Sequence, residues 1–190
     1  PDCFETAFAF FKSVLRRRRY DWSWHSAALY AALSSLSPNI PEGAPALGLI
    51  GEAEPGFLSA AMIAADSAGF AARAVAMRHQ DDQAQIHWVR AARPAPTQPP
   101  DTALLEQAAV AAAQKLIQQR GEPCPYLPVH IAILDELINT GCFNLVSEPA
   151  SGPDASELQP ILQNYLSYKN GFLRYGGSPS SLESGHWWLK

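Results

Sequence analysis

One segment, from Ala44 to Ala92, constrains the fold more than any other part of this sequence. It opens with the apolar run ALGLI, which predicts a strand buried on both faces. Pro55 then stands where a helix begins, and Gly69 is placed to end that helix. Two further strands, over 71–78 and 83–90, flank a polar turn. The order strand, helix, hairpin is typical of the closing half of an open α/β sheet.

A proline-rich stretch divides the chain. Four prolines within 93–100 predict an extended, semi-rigid spacer, and we place a domain boundary there, between residues 1–92 and 101–190. The first part also predicts helices over 4–15 and 26–35. The second part predicts a helix, a short extended segment, two more helices and a closing hairpin. This is the order of elements in a winged helix. The predicted fold is therefore α/β, a partial Rossmann-like sheet of three strands with helices, followed by an α+β winged-helix-like domain.

The balance of charge argues against a generally basic nucleic-acid-binding protein, because the formal net charge is −4. The basic side chains are nevertheless concentrated at the amino end. Residues 1–20 hold five basic and two acidic side chains, whereas residues 101–190 hold nine acidic and five basic ones. A phosphate contact is therefore expected near the amino end.

Three cysteines without a CxxC spacing predict neither a disulfide framework nor a zinc site. No segment predicts a membrane span, and no signal peptide is evident. We therefore expect a cytoplasmic protein with free thiols and no membrane partner.

Basic and aromatic residues follow one another near the amino end and are the first candidate site. A run of four arginines precedes two tryptophans and a histidine, and together they predict contacts to a nucleic-acid backbone and to stacked bases: Arg16, Arg17, Arg18, Arg19, Trp22, Trp24 and His25. Two other interpretations stay open. The tryptophans can anchor a helix to the sheet, and the arginines can form a solvated surface or one that faces another part of a larger protein.

Two carboxylates, Glu52 and Glu54, fall between the first strand and the helix, at the edge where open α/β sheets bind ligands. They are candidates for a substrate pocket or a metal site, against the alternative of solvated carboxylates that favour a helix amino terminus. In the second part, Lys169 and Arg174 are candidate DNA contacts. The predicted recognition helix holds few cations, so packing or protein contact is an equal expectation there.

Histidines give no catalytic pattern. His87 alternates with apolar strand neighbours and is expected to be exposed, and His130 lies in an apolar helix without a second ligand at metal spacing. No Ser-His-Asp or Cys-His arrangement follows from the spacing, which argues against a hydrolase. No catalytic or metal-binding residue is predicted.

Several stretches of the sequence resemble a known family. The stretches "DWSWHSAALYAALSSL", "GLIGEAEPGFLSAAMIAADSAGF" and "AQIHWVRA" resemble the carboxyl-terminal portion of certain large bacterial DNA methylases, over residues 20–92. The most specific element is "EAEPGFLSAA". In the second part, "RGEPCPYLPVHIAILDEL" and "SLESGHWWLK" resemble winged-helix modules attached to restriction and modification enzymes and to chromatin proteins.

This resemblance implies a Rossmann-like fold that binds S-adenosylmethionine, of which residues 20–92 would supply the last helices and the terminal strand hairpin. The glycine-rich cofactor motif is missing from this sequence, and so is the motif that holds the target amino group, since Pro99-Pro100 precede Asp101 rather than an aromatic residue. We therefore expect no cofactor to bind this chain alone, and S-adenosylmethionine to bind the complete parent.

Two functions follow as alternatives. The first is a non-catalytic carboxyl-terminal region of an S-adenosylmethionine-dependent DNA methyltransferase, with the remainder of that protein and DNA as partners. It predicts a sheet with one exposed edge and an uncovered apolar face. The second is a stand-alone winged-helix regulator or adaptor that binds DNA or a protein. It predicts a fully covered sheet, and a basic recognition surface or a symmetric interface.

Overall fold

The fold comes from a computed structural model that describes residues 19–51, 53–78, 83–91, 102–141, 155–178, 181 and 183–190. Several sequence predictions lie outside the described residues: the helix over 4–15, Arg16, Arg17, Arg18, Glu52 and the proline-rich spacer over 93–100.

Five α-helices and six strands make up the described part of the chain. In order they are α1 (Trp22–Leu36), β1 (Pro45–Ile50), α2 (Pro55–Ser67), β2 (Phe70–Arg78), β3 (Gln83–Arg90), α3 (Thr102–Arg120), β4 (Cys124–Pro125), α4 (Tyr126–Asn139), α5 (Ala155–Tyr165), β5 (Phe172–Tyr175) and β6 (His186–Leu189). Among these helices, none is both long enough and apolar enough to cross a membrane.

Local signals in the sequence explain where the first helices begin and end. The carboxylate of Asp21 accepts a hydrogen bond from the backbone N–H of Trp24 at 3.0 Å, so α1 begins at Trp22, four residues before the predicted start. Pro55 opens α2, as predicted. Gly69 follows the end of α2 with a φ of +85°, a conformation that glycine adopts without strain. The predicted end of this helix is confirmed.

The first sheet has the strand order β1-β3-β2. Both outer strands are antiparallel to β3, so they are parallel to each other, and α2 connects them as a β–α–β unit. The predicted hairpin of β2 and β3 is confirmed.

The prediction that the first strand is buried on both faces is wrong. Leu47 and Leu49 are 65% and 72% exposed, whereas Ile50 is buried. Side chains alternate between the two faces of a strand, and α2 packs on only one face of this sheet. An apolar run alone does not separate a strand covered on both sides from one whose second face is open.

The second sheet has the strand order β4-β6-β5, and all its pairings are antiparallel. The predicted order of helix, short extended segment, helix, helix and hairpin is present, and Phe172–Tyr175 and His186–Leu189 form the closing hairpin. The described chain is therefore a mixed α/β protein with two small three-stranded antiparallel sheets.

Both parts of the chain contribute to one hydrophobic core. Helix α2 of the first part packs against α4 and α5 of the second. Leu58 and Met62 of α2 belong to the same buried cluster as Ile133 of α4 and Leu162 of α5. The predicted spacer thus connects two segments that pack closely together.

Candidate functional site

Four of the predicted nucleic-acid-binding residues lie together at the start of α1 and α2. Together with Tyr20 and Phe57 they form a chain of ring contacts, which we call the arginine–aromatic cluster: Arg19, Tyr20, Trp22, Trp24, His25 and Phe57. The Arg19 guanidinium carbon lies 5.4 Å from the centroid of the Tyr20 ring, and the centroids of Tyr20 and Trp22 are 5.9 Å apart. His25 lies between three rings, with centroids 5.7 Å from Trp22, 5.1 Å from Trp24 and 5.4 Å from Phe57.

The close approach of α1 and α2 positions this cluster. Trp22 lies against Gly56, where an added Cβ would be 2.2 Å from the indole Nε1. One turn further along α1, the buried Ser26 hydroxyl donates to the carbonyl of Ala60 at 3.5 Å. Small residues on α2 therefore allow the indole to approach the helix closely, which supports the interpretation of Trp22 as an anchor.

Glu54 joins the arginine–aromatic cluster from the loop before α2. Its Oε1 atom lies 3.7 Å from Nη2 of Arg19, and its side chain makes no capping hydrogen bond to the helix. Both side chains are partly exposed, so the ion pair contributes little to stability. The structure thus brings together two candidate sites that the sequence treats separately. Among the described residues, no group of three or more metal-ligating side chains accompanies Glu54.

The outer end of the arginine–aromatic cluster is open to solvent. Tyr20 is 65% exposed and Arg19 is also exposed, whereas Trp22, Trp24 and His25 are half-buried. An exposed ring beside a cation is the arrangement on which nucleic-acid bases stack. Tyr20 and Phe57 were not predicted from the sequence; the position of Tyr20 directly after the arginine run was the available signal.

Arg174 of the second part has its donors directed into its own hairpin loop. Its guanidinium donates to the carbonyls of Ser178, Ser181 and Ser184, at 2.8 Å for Ser178, and lies 5.7 Å from the centroid of the Trp187 ring. A side chain used in this way shapes the loop. Lys169, by contrast, is exposed in a short turn before β5.

A buried polar chain links the two parts of the molecule, and we call it the buried relay: Tyr126, His130 and Ser59. The hydroxyl of Tyr126 lies 3.1 Å from Nδ1 of His130, and Nε2 of His130 lies 2.8 Å from the hydroxyl oxygen of Ser59. Ser59 donates to the carbonyl of Pro55 at 2.9 Å. The exposed fractions are 1% for Tyr126, 0% for His130 and 1% for Ser59.

The hydrogen bonds of the buried relay are consistent within one tautomer of His130. When the Ser59 hydroxyl donates to Pro55, the imidazole donates from Nε2 to Ser59 and accepts at Nδ1 from Tyr126. In that arrangement the imidazole does not take a proton from Ser59. All three side chains are withdrawn from solvent, so we interpret the contact between serine and histidine as structural.

Burial keeps the ring of His130 neutral. It lowers the pKa of His130 from 6.5 to about 4, and the nearby carbonyl of Pro55 only partly opposes this shift. Burial also raises the pKa of Tyr126, and the Glu183 carboxylate adds to that effect. The buried relay was not predicted from the sequence, because Ser59 and His130 are 71 residues apart.

No described element covers one face of the first sheet, and we call it the open face. Leu47 and Leu49 of β1 lie on it, and in register across β3 are His87 and Gln85, both exposed. The prediction that His87 is exposed is confirmed. Strand β1 is also an edge strand, since in the described part of the chain it pairs only with β3.

Comparison of the chain with protein-family models, with curated proteins and with solved structures finds no match.

Proposed function

We propose that this chain is a non-catalytic carboxyl-terminal region of an S-adenosylmethionine-dependent DNA methyltransferase. In this proposal it supports the catalytic fold and contributes to DNA contact. The open face and the free edge of β1 are the observation that carries the proposal. Between the two functions that the sequence leaves open, only this one expects an uncovered sheet.

The missing strands of the parent sheet would pair with the free edge of β1. Strands β1 and β2 are parallel and joined through α2, so a further parallel strand beside β1 continues the same β–α–β pattern. The next layer of that fold would cover Leu47 and Leu49. Burying an exposed leucine side chain contributes roughly 2 kcal/mol, which is enough for this face to guide assembly.

Cofactor binding belongs to the part of the parent fold that is missing here. The sequence of the turn after β1 carries the carboxylate of Glu54 and no glycine-rich motif. Such a motif is what allows the close backbone approach that a nucleotide cofactor exploits. We expect calorimetry to detect no binding of S-adenosylmethionine to this chain alone.

DNA contact is assigned in this proposal to the arginine–aromatic cluster and the arginine run before it. Arg19 and the exposed ring of Tyr20 offer a cation beside a stacking surface. Lys169 remains a second candidate contact, whereas the donors of Arg174 are directed into the loop.

The alternative, a stand-alone winged-helix adaptor, draws support from the second part. There the short strand β4 pairs with the last strand of the closing hairpin, as a winged helix requires. This feature fits both proposals, because a winged-helix module can also be part of a methylase. The uncovered first sheet favours the methylase region.

The reading frame upstream of Pro1 tests the first proposal. A frame that continues into a glycine-rich motif and a motif for the target amino group supports it, whereas a start codon directly before Pro1 overturns it. The longer product then allows a structural test. In a background with Cys3 and Cys142 changed to Ser, Leu47→Cys should react with a thiol reagent in this chain and be protected in the longer product. Equal reactivity would contradict the docking of further strands on the open face.

Titration with a fluorescent oligonucleotide tests the DNA contact separately. Replacing the four arginines of the run by serine should weaken binding at least about tenfold and lower its salt dependence. The matched control is the double variant Arg73→Ser and Arg78→Ser, which removes exposed arginines of β2 and should leave most of the affinity. Equal losses in both variants would show that binding depends only on general charge.

A further inference from the structure

A cleft of about 480 Å³ runs along β2, on the side of the first sheet away from β1. Its other walls come from α3 and α4. Apolar side chains form much of its lining: Val75, Met77, Leu116 and Ile131. This volume lies within the range of sites that bind small molecules and short peptide segments.

Strand β2 presents an open edge to this cleft. The strand order β1-β3-β2 leaves one side of β2 without a strand partner among the described residues. Five of its residues between Ala72 and Met77 line the cleft. Unpaired N–H and C=O groups along a strand edge are a template for another strand, and an adjoining apolar groove provides space for its side chains.

A bulge in β2 places a cation at this edge. The pairing with β3 shifts between Ala72 and Ala74, so Arg73 is the extra residue. Bulges redirect side chains, and Arg73 is exposed and lines the cleft, without an ion-pair partner among the described residues. Across the cleft, Arg120 adds a second cation, which is paired with Glu122 at 3.0 Å, and Asp135 of α4 is the one acidic side chain in the lining.

The charged residues of β2 determine which kind of strand can pair with its open edge. Its charged residues are Arg73 and Arg78, and it has no acidic residue. A second copy of this chain pairing through the same edge would place four arginines on one two-stranded ribbon, which like-charge repulsion opposes. An extended segment that carries carboxylates avoids this repulsion and offers Arg73 the ion-pair partner that it lacks.

We propose that the β2 cleft binds an extended acidic peptide segment of a partner protein. The segment adds a strand to the outer edge of β2, inserts alternate apolar side chains between β2 and the helices, and places a carboxylate on Arg73. This inference does not depend on the proposed function, because it concerns the edge of the sheet opposite to β1.

Fluorescence anisotropy with designed peptides tests this proposal. The probe is a capped, labelled peptide of about seven residues in which valine and glutamate alternate, a length that matches an ordinary strand. We expect saturable binding in the micromolar range. The same peptide with lysine in place of glutamate should bind at least about tenfold more weakly, because it places cations beside Arg73 instead of the carboxylate that pairs with it.

Two controls separate strand addition from general attraction. A version of the acidic peptide with alternate backbone nitrogens methylated on its pairing edge cannot add to β2 and should not bind. Arg73→Ala should weaken binding at least about fivefold, whereas Arg78→Ala, on the same strand but outside the cleft, should change it less than about twofold. Equal binding of the methylated peptide, equal effects of the two substitutions, or no binding up to about 1 mM would each overturn the proposal.

Discussion

The buried relay and the open face invert the usual distribution of side chains. In the buried relay, polar groups of Ser59, His130 and Tyr126 are almost completely withdrawn from water. On the open face, Leu47 and Leu49 remain largely exposed. The buried polar groups are stabilised because each has a hydrogen-bond partner in this chain. The exposed leucines have no such cover in the described structure.

This difference separates two regions of the described structure. The interface between α2 and α4 is fully formed, since an unpaired hydroxyl or imidazole there would cost about 1–3 kcal/mol. In the described part of the chain, the first sheet is covered only on the face where α2 packs. Satisfied polar groups in the buried relay, together with leucines that stay exposed on β1, support the proposal that this chain is part of a larger protein. Four experiments test this contrast.

The largest effect is expected where the two parts meet. His130→Ala should lower the free energy of unfolding by about 4 kcal/mol, because it leaves a cavity and removes the partner of both buried hydroxyls. The measurement is urea unfolding followed by circular dichroism. The matched control is His87→Ala on the open face, which should change the free energy by less than about 0.5 kcal/mol. Similar values for the two variants would contradict the contrast between the regions.

The pH dependence of stability should follow from the same histidine. The pKa of His130 is about 4 in the folded protein and 6.5 in the unfolded chain, so only the unfolded chain takes up its proton between those values. The free energy of unfolding should therefore fall as pH decreases through this window, by roughly 3 kcal/mol in total. Above pH 6.5 this group contributes no pH dependence.

Denaturant unfolding between about pH 4 and pH 7 measures this loss. His130→Met removes the titrating ring, so the variant should be less stable at neutral pH and should lose this part of the pH dependence. His87→Ala should keep the full dependence of the wild type. An unchanged slope in His130→Met would show that other groups cause the acid sensitivity.

Local sequence signals predicted the helices and strands of this fold well. Contacts between residues that are distant in the sequence could not be predicted from such signals. Pro55 and Gly69 act at the start and at the end of α2, as the sequence predicts, and Asp21 caps the start of α1. The hairpin of β2 and β3 follows from the same kind of signal. Local spacing could not show that Ser59 and His130 are in contact, because no residue near either of them in the sequence indicates the other as its partner.

The prediction that β1 is buried on both faces was wrong for a related reason. The run that contains Leu47 and Leu49 is apolar at every position, and it lacks the alternation that would mark one side as exposed. Whether its second face is covered depends on elements elsewhere. The same holds for the arginine–aromatic cluster, where Glu54 meets Arg19 only because α1 packs on α2.

A smaller effect is expected at the contact beneath this cluster. Helix propensity alone predicts that Gly56→Ala stabilises α2 by about 0.5–1 kcal/mol. The added Cβ would lie 2.2 Å from Nε1 of Trp22, so the indole must move, and we expect a net loss of about 1–2 kcal/mol with altered tryptophan fluorescence. Gly51→Ala is the control, since its Cβ meets nothing within 4 Å. A stabilised Gly56→Ala variant would show that the indole does not lie on this glycine.

The smallest change in stability is expected on the open face itself. The double substitution Leu47→Lys and Leu49→Lys should change the free energy of unfolding of this chain by less than about 1 kcal/mol, because both side chains already contact water. Charges on an edge strand also oppose association, so ultracentrifugation should show less self-association than in the wild type. Ile50→Lys is the matched control, since Ile50 points to the covered face and an unpaired charge there should be strongly destabilising.

If the open face docks the remainder of a methylase, the same double substitution should cost several kcal/mol in the longer product. An equally small effect there would mean that no other part of the longer product covers these leucines. The contrast with the buried relay would then not support the methyltransferase proposal.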